Sequence, residues 1–303
     1  MKWVEISVDA PPEFVEPLSE IFHRYGHGGV AVEQNSGHSP DEGDAEPAPQ
    51  MVTLRTYVPF ELSTDELFGR IDVGTRLVAL LAPISSLRKR VLEEENWQSA
   101  WKKHFKVLHI GRHIVIVPTW HEYEPNEHDV IAALDPGMAF GTGHHPTTRM
   151  CLELLEDLVA PDTDVLDVGC GSGILSIVAA KLGARSVSSL DIDPLAAKAA
   201  ASNVGENRVE KIVTVLEGSL PHSEIRSGHY DVAVANISHK VVSELADHLV
   251  ASLKPGGHVV ASGLLTKDRN AVIERFEGEG AYVTRTEQAD DWVGLVARKG
   301  PLS

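Results

Sequence analysis

The chain has 303 residues, 43% of them hydrophobic, enough for conventional buried cores and for two domains. Lys and Arg total 27 against 44 Asp and Glu, and the formal charge of −17 repels a bare phosphate backbone. A basic protein partner fits that balance better than DNA or RNA, and acidity that serves only solubility accounts for it equally.

Cys151 and Cys170 form neither a Cys-x-x-Cys pair nor a metal-ligand pattern, which suits a reducing compartment. The first residues carry no apolar signal core, and no apolar run approaches the roughly 20 residues of a membrane span, so a cytoplasmic protein is expected.

In chain order, residues 2–8 alternate polar and apolar side chains as a half-buried strand does. Phe14, Val15, Leu18, Ile21 and Phe22 then recur at helical spacing until Gly26 to Gly29 stops them. A strand at 30–34 precedes an acidic, polar stretch at 35–49 that reads as a mobile loop. A strand at 51–58, a helix at 64–81 and a strand at 87–92 follow. Strand, helix, strand, strand, helix, strand is the order of a ferredoxin-like α+β sandwich.

Between residues 93 and 106, Trp97, Trp101 and Phe105 lie at i, i+4 and i+8, which predicts a packed connecting helix. Residues 112–117 and 130–134 read as strands flanking an exposed loop at 121–128. After residue 160 the alternation is regular. Strands are predicted at 164–168, 186–191, 211–216, 230–235, 257–262, 281–286 and 292–297. Helices are predicted at 174–182, 194–204, 239–253 and 267–277. That pattern implies a doubly wound, mostly parallel sheet with helices on both faces.

In such sheets ligands bind beyond the carboxyl ends of the strands. The first of these ends in Asp167-Val-Gly169-Cys-Gly171-Ser-Gly173, where the missing side chains let a cofactor lie against the backbone. The Gly-x-Gly-x-Gly spacing, with an acid two residues ahead, counts against a nicotinamide fingerprint and suits a ligand without phosphate. Asp191 ends the next strand, about where an acid accepts hydrogen bonds from ribose hydroxyls. Asp193, before Pro194, reads most simply as a helix N-cap. Glu217 stands where adenine is often contacted and reads equally as a surface acid.

Asn236 closes an apolar strand at the same crevice. Its amide carries a donor and an acceptor that could orient a nucleophilic nitrogen or grip the cofactor's amino-acid end, while a turn-forming Asn is the structural alternative. Upstream, residues 134–149 form a glycine-rich loop running into a helix start, with no Lys for a phosphate-binding loop. His144 and His145 are adjacent, point different ways and lack a third ligand, so no metal is expected. Thr148 reads as a helix cap, a ligand donor, or both.

The turn from Asp167 to Gly173 together with Asp191 resembles class I S-adenosylmethionine-dependent methyltransferases. The stretch Leu134-Asp-Pro-Gly-Met-Ala-Phe-Gly-Thr-Gly-His-His-Pro-Thr-Thr148, with Glu95 to Phe105 and Val234-Ala-Asn-Ile237, resembles the bacterial ribosomal protein L11 methyltransferases, over nearly the whole chain. The resemblance implies a Rossmann-like α/β methyltransferase domain at 107–303, a connecting helix at 93–106 and a ferredoxin-like substrate-recognition domain at 1–92. It implies S-adenosyl-L-methionine as cofactor, held by Thr148, Gly169, Asp191 and Asn236, with Phe140, Gly141, Thr142, Asp167 and Gly171 completing the site.

The implied activity is methylation of lysine side-chain amines and the N-terminal amine of ribosomal protein L11. A class I methyltransferase acting on another protein, RNA or a small molecule is the alternative. A monomer is the simplest assembly. His144 departs from the family's usual Thr, and the acidic 35–49 loop falls in the recognition half. No side chain stands out as an obligatory general base, so catalysis is expected to rest on alignment and desolvation, with Asn236 as the residue holding the amine or the cofactor beside it.

Overall fold

The computed structural model describes residues 2–25, 27–34, 51–93, 106–134, 143 and 145–301. The chain divides into two units, Met1–Lys106 and Val107–Ser303. The expected acidic loop at 35–49, and Trp97, Trp101 and Phe105 of the expected connecting helix, lie outside the described residues.

In the first unit, β1 (Lys2–Ala10), α1 (Val15–Tyr25), β2 (His27–Gln34), β3 (Val52–Pro59), α2 (Asp65–Ala79) and β4 (Arg88–Glu93) follow in the expected order. The sheet order is β2-β3-β1-β4 with every pair antiparallel, the ferredoxin-like arrangement. Alternation drives it: Val4, Ile6 and Val8 of β1 are buried against Val15, Leu18 and Phe22 of α1 and Phe68 and Ile71 of α2. Thr64 caps α2, its hydroxyl accepting from Leu67 N at 3.2 Å. β2 starts at His27, three residues earlier than expected, because a bulge between His27 and Val30 absorbs the glycines there.

The second unit opens with a three-stranded sheet of β5 (Leu108–Ile110), β6 (Ile114–Pro118) and β7 (Val130–Leu134). The strand predicted at 112–117 starts instead at Ile114, because Arg112 belongs to a tight turn between β5 and β6. Arg112 N and His113 N both donate to the Glu156 carboxylate, at 2.8 and 2.7 Å. Three residues are too few for an alternation, so β5 left no sequence signal.

The main sheet has the order β10-β9-β8-β11-β12-β14-β13. Its strands are β8 (Asp164–Val168), β9 (Ser186–Asp191), β10 (Val213–Glu217), β11 (Tyr230–Asn236), β12 (Leu253–Leu265), β13 (Ala281–Ala289) and β14 (Trp292–Lys299). β8 to β12 are parallel, and β14 runs antiparallel to both β12 and β13. The order reverses between β8 and β11, which opens the crevice where such sheets bind ligands.

The helices are α3 (Pro146–Leu158), α4 (Ile174–Lys181), α5 (Pro194–Glu206), α6 (His239–Glu244), α7 (Ala246–Ser252) and α8 (Arg269–Gly278). One apolar core joins α3 and α4 to the small sheet and to Val165, Val232 and Val234. A second, on the opposite face, joins α6 to α8 with Leu166, Val168, Ala233 and Ala235. Covered on both faces, β8 reads as a continuous apolar run. The single helix expected at 239–253 is two, broken at Leu245 (φ −95°, ψ 2°). Val242, Ala246, Leu249 and Val250 stay buried across the break, so the apolar periodicity runs through it unmarked.

At the amino ends of β8, β9 and β12 sits a buried carboxylate, Asp164. It accepts from Arg185 Nε at 3.0 Å, Ser186 Oγ at 2.8 Å and Lys254 Nζ at 3.1 Å, and Lys254 also reaches Asp231 at 2.7 Å. Burial raises the Asp164 pKa, but the bonds from Arg185, Ser186 and Lys254 outweigh it and hold the carboxyl well below the usual range. A folded-state pKa below the unfolded value stabilises the fold above about pH 4, and the benefit disappears as pH falls further. Asp164→Asn is expected to cost about 2 kcal/mol at pH 7, with the gap to wild type closing below about pH 4, as measured by urea denaturation at several pH values.

Candidate active site

The turn joining β8 to α4 has positive φ at Gly169 (76°), Gly171 (54°) and Gly173 (79°). β9 holds it from the side. Leu190 O accepts from Gly169 N at 2.8 Å and from Cys170 N at 3.0 Å. The Asp191 side chain accepts from Gly171 N through Oδ2 at 2.8 Å and from Asp193 N through Oδ1 at 2.9 Å, and Asp191 O accepts from Gly218 N at 2.7 Å. Asp191 thus organises the turn beside it, a role its sequence position did not suggest. Each carboxylate oxygen keeps acceptor capacity for a further donor.

Asp193 caps α5 as expected, accepting from Leu195 N at 2.9 Å. Glu217 is exposed and lies in register with Asp191. Ile192 and Leu195 are apolar yet 77% and 63% exposed beside Asp191.

Asp167 is fully buried beneath the turn. Its Oδ2 accepts from Ser176 Oγ at 2.7 Å, and Ser176 is also bonded to Ser189 Oγ at 2.9 Å. Oδ1 is buried and has no hydrogen-bond partner. Burial, with a smaller contribution from the Asp191 charge, pushes the Asp167 pKa up to about 7 against the Ser176 bond. Burial likewise raises the thiols of Cys151 and Cys170, which are packing groups rather than nucleophiles.

Across the crevice, the structure brings Thr148 and Asn236 together although 88 residues separate them. Asn236 Nδ2 donates to Thr148 Oγ1 at 3.2 Å, which fixes the amide and leaves Asn236 Oδ1 buried with no partner. Thr148 is not the cap of α3. His145 is, its Nδ1 accepting from Thr147 N at 3.3 Å and lying 2.7 Å from Thr147 Oγ1. The His145 ring packs edge-on to Trp292, with centroids 4.8 Å apart, and burial lowers its pKa to about 4, so it is neutral and able to accept. Histidine is a rare cap, which is why the sequence pointed to the threonine instead.

Ile237, absent from the sequence-derived site, is wedged between two glycines. A Cβ on Gly169 would lie 2.3 Å from Ile237 Cγ2, and one on Gly263 (φ 81°) 2.4 Å from Ile237 O. The bare backbone at Gly169 is therefore required by a neighbouring side chain, independently of any ligand. Phe140, Gly141, Thr142 and His144 lie outside the described residues. Among the described residues no group of three or more His, Cys, Asp or Glu could hold a metal ion, and no helix is long and apolar enough to cross a membrane.

Residues 2–300 match the family described as ribosomal protein L11 methyltransferase. The chain is 42% identical to a ribosomal protein L11 methyltransferase of Chloroflexus aurantiacus, with 98% of each chain covered. It is 40% identical to one of Herpetosiphon aurantiacus, with 99% of each covered. A crystal structure of a ribosomal protein L11 methylase from Lactobacillus delbrueckii subsp. bulgaricus superposes with a TM-score of 0.57 at 32% identity, covering 64% of this chain and all of that one.

The Ile237 wedge has a measurable signature. Gly169→Ala is expected to destabilise the fold by about 2–3 kcal/mol, from positive φ and overpacking together. In Gly169→Ala/Ile237→Ala the new methyl fills space vacated by Cγ2, so the loss should fall about 1 kcal/mol short of the sum of the single variants in a urea double-mutant cycle.

Proposed function

Because the chain belongs to the ribosomal protein L11 methyltransferase family, we propose that it transfers methyl groups from S-adenosylmethionine to lysine side-chain amines and the N-terminal amine of ribosomal protein L11. Residues 107–303 carry the transfer, and residues 1–92 recognise the protein substrate. The observation that carries the chemistry is Asn236, an oriented amide whose buried acceptor oxygen has no partner at the mouth of the crevice.

Two features of the site suit the cofactor. The glycine turn leaves backbone open next to Asp191, whose remaining lone pairs can take ribose hydroxyls, and exposed Ile192 and Leu195 offer an apolar face for adenine. Asp167, with Oδ1 buried and unpartnered, sets beneath the turn a carboxyl that ionises near pH 7 and whose charged form a positively charged ligand would favour. The cofactor supplies an electrophilic methyl on a sulfonium.

The protein must present the acceptor nitrogen neutral and aligned. A free lysine, with a pKa near 10.4, is about three units from deprotonation at pH 7, which costs roughly 4–5 kcal/mol. A poorly solvated site lowers that cost, and alignment supplies several kcal/mol more. Asn236 Oδ1 accepts an N–H of the amine and turns its lone pair toward the methyl. Thr148 Oγ1 holds the amide by accepting from Nδ2.

The direct test is incubation with methyl-labelled S-adenosylmethionine and a mixture of ribosomal proteins and RNA, followed by mass spectrometry. L11 should gain whole methyl increments; label on another protein or on RNA, with L11 unmodified, overturns the substrate assignment. Asn236→Ala should lower kcat by about 10²-fold at saturating substrates, and Thr148→Val by less. Cofactor binding should also be proton-linked. A cation near Asp167 favours its ionised form, so binding lowers its pKa, releases protons and tightens as pH rises from 6 through 7. Calorimetry with S-adenosylhomocysteine, whose ammonium group is cationic, should show that dependence in wild type and lose it in Asp167→Asn.

A further inference from the structure

Helix α5 carries two buried asparagines one turn apart, Asn203 and its C-cap residue Asn207, beyond the groups that face the crevice. Asn203 Nδ2 donates to Ser172 O, inside the glycine turn, at 2.9 Å. Asn207 Nδ2 donates to Asn203 O at 2.8 Å and to Ala133 O at 2.6 Å, while Asn207 Oδ1 accepts from Ala133 N at 2.8 Å. Ala133 belongs to β7, an edge strand paired with β6 alone among the described residues. The Asn207 amide takes both backbone groups of Ala133 as a neighbouring strand would.

We propose that Asn203 and Asn207 are positioning residues for cofactor binding, a ladder of two side-chain amides that ties the glycine turn to strand β7. Packing does not explain the choice of residue. Asparagine is a poor helix former, and at position 203, inside α5, leucine would be the better helix residue. Leucine there would also remove the bond to Ser172 O, and at 207 those to Ala133 N and O, so the amides are there for the backbone groups they hold.

The same helix starts at the Asp193 cap, two residues beyond Asp191. At its middle, a Cβ on Gly173 would lie 3.1 Å from Ala200 Cβ. The end of β9, the turn and β7 are thus referred to one rigid element. A turn that keeps three residues at positive φ gains little from its own local preferences, and an outside hold on Ser172 O fixes the peptide joining Ser172 to Gly173.

The inference rests on the proposed use of S-adenosylmethionine, and calorimetry with S-adenosylhomocysteine separates the two. Wild type that fails to bind overturns the function and the ladder together. Wild type that binds beside variants that bind equally overturns the ladder alone. Asn203→Ala and Asn207→Ala, each shown to be folded by circular dichroism, should each weaken S-adenosylhomocysteine about tenfold. The KM for S-adenosylmethionine should rise in step, while kcat at saturation stays within about threefold and the KM for the protein substrate does not move.

A generally loosened fold would move all of these. The double variant should lose little more than either single one, because the bonds act in series. Hydrogen exchange gives a second readout. In wild type, S-adenosylhomocysteine should slow exchange at 130–134 and 203–208 along with 166–175. In Asn203→Ala the effect at 130–134 should be lost although the Asn207 bonds to Ala133 remain. If either variant fails to fold, wild-type exchange decides: protection confined to 166–175 overturns the ladder, as does unchanged affinity in the folded variants.

Discussion

The site hangs on the grip of β9 on the turn that follows β8. One carbonyl, Leu190 O, holds two successive amides, and one side chain, Asp191, holds a third while fixing its own descent into α5. Without these bonds a glycine-rich segment loses more conformational entropy on folding than any other and has no side chains to recover it. Strand pairing sets where Leu190 and Asp191 lie, so the geometry of the ligand crevice is a property of the sheet. That explains how so small a turn is held in one shape: its partners are buried strand ends, among the least mobile parts of the molecule.

Most of the architecture was legible in the residues. β8 and β9 start and end where the apolar runs do, and the order of elements in the first 93 residues specifies the ferredoxin-like sheet. These signals work because burial on one or both faces imposes a period on the sequence. Three features escaped, each for a physical reason. β5 is shorter than the period it would need to display. The break at Leu245 is a change of backbone angles beneath an apolar stripe that continues unaltered. His145 caps α3 through a ring nitrogen that must be neutral, and its neutrality comes from a tertiary environment including Trp292, 147 positions further along the chain.

The site was less legible than the fold. Asp191, Asn236, Thr148 and the glycines stand out as polar or bare positions at strand and helix ends, and the structure brings Thr148 against Asn236. What each touches was not readable. Gly169 is bare because Ile237 occupies its side-chain space, and the Asn203 to Asn207 ladder consists of contacts to backbone atoms, which leave no complementary residue type for a sequence to show. Long-range bonds from a side chain to the main chain are invisible to any pattern that compares side chains with one another.

Electrostatics decides what kind of ligand such a turn accepts. Glycines leading into the start of a helix ordinarily make an anion site, because free amides and the helix dipole both favour negative charge. Here the amides are already spent: Gly169 N and Cys170 N on Leu190 O, Gly171 N on Asp191 and Gly173 N on Cys170 O. Two carboxylates, Asp167 and Asp191, lie beside them, close enough for the charge of one to raise the pKa of the other. A phosphate would meet occupied donors and like charge. A ligand bearing hydroxyl donors and positive charge meets the acceptor capacity left on Asp191 and relieves the cost of ionising Asp167 in the interior. Two acids and amides turned inward thus set this turn apart from the one that elsewhere cradles a pyrophosphate, and make positive charge beside it the favoured sign.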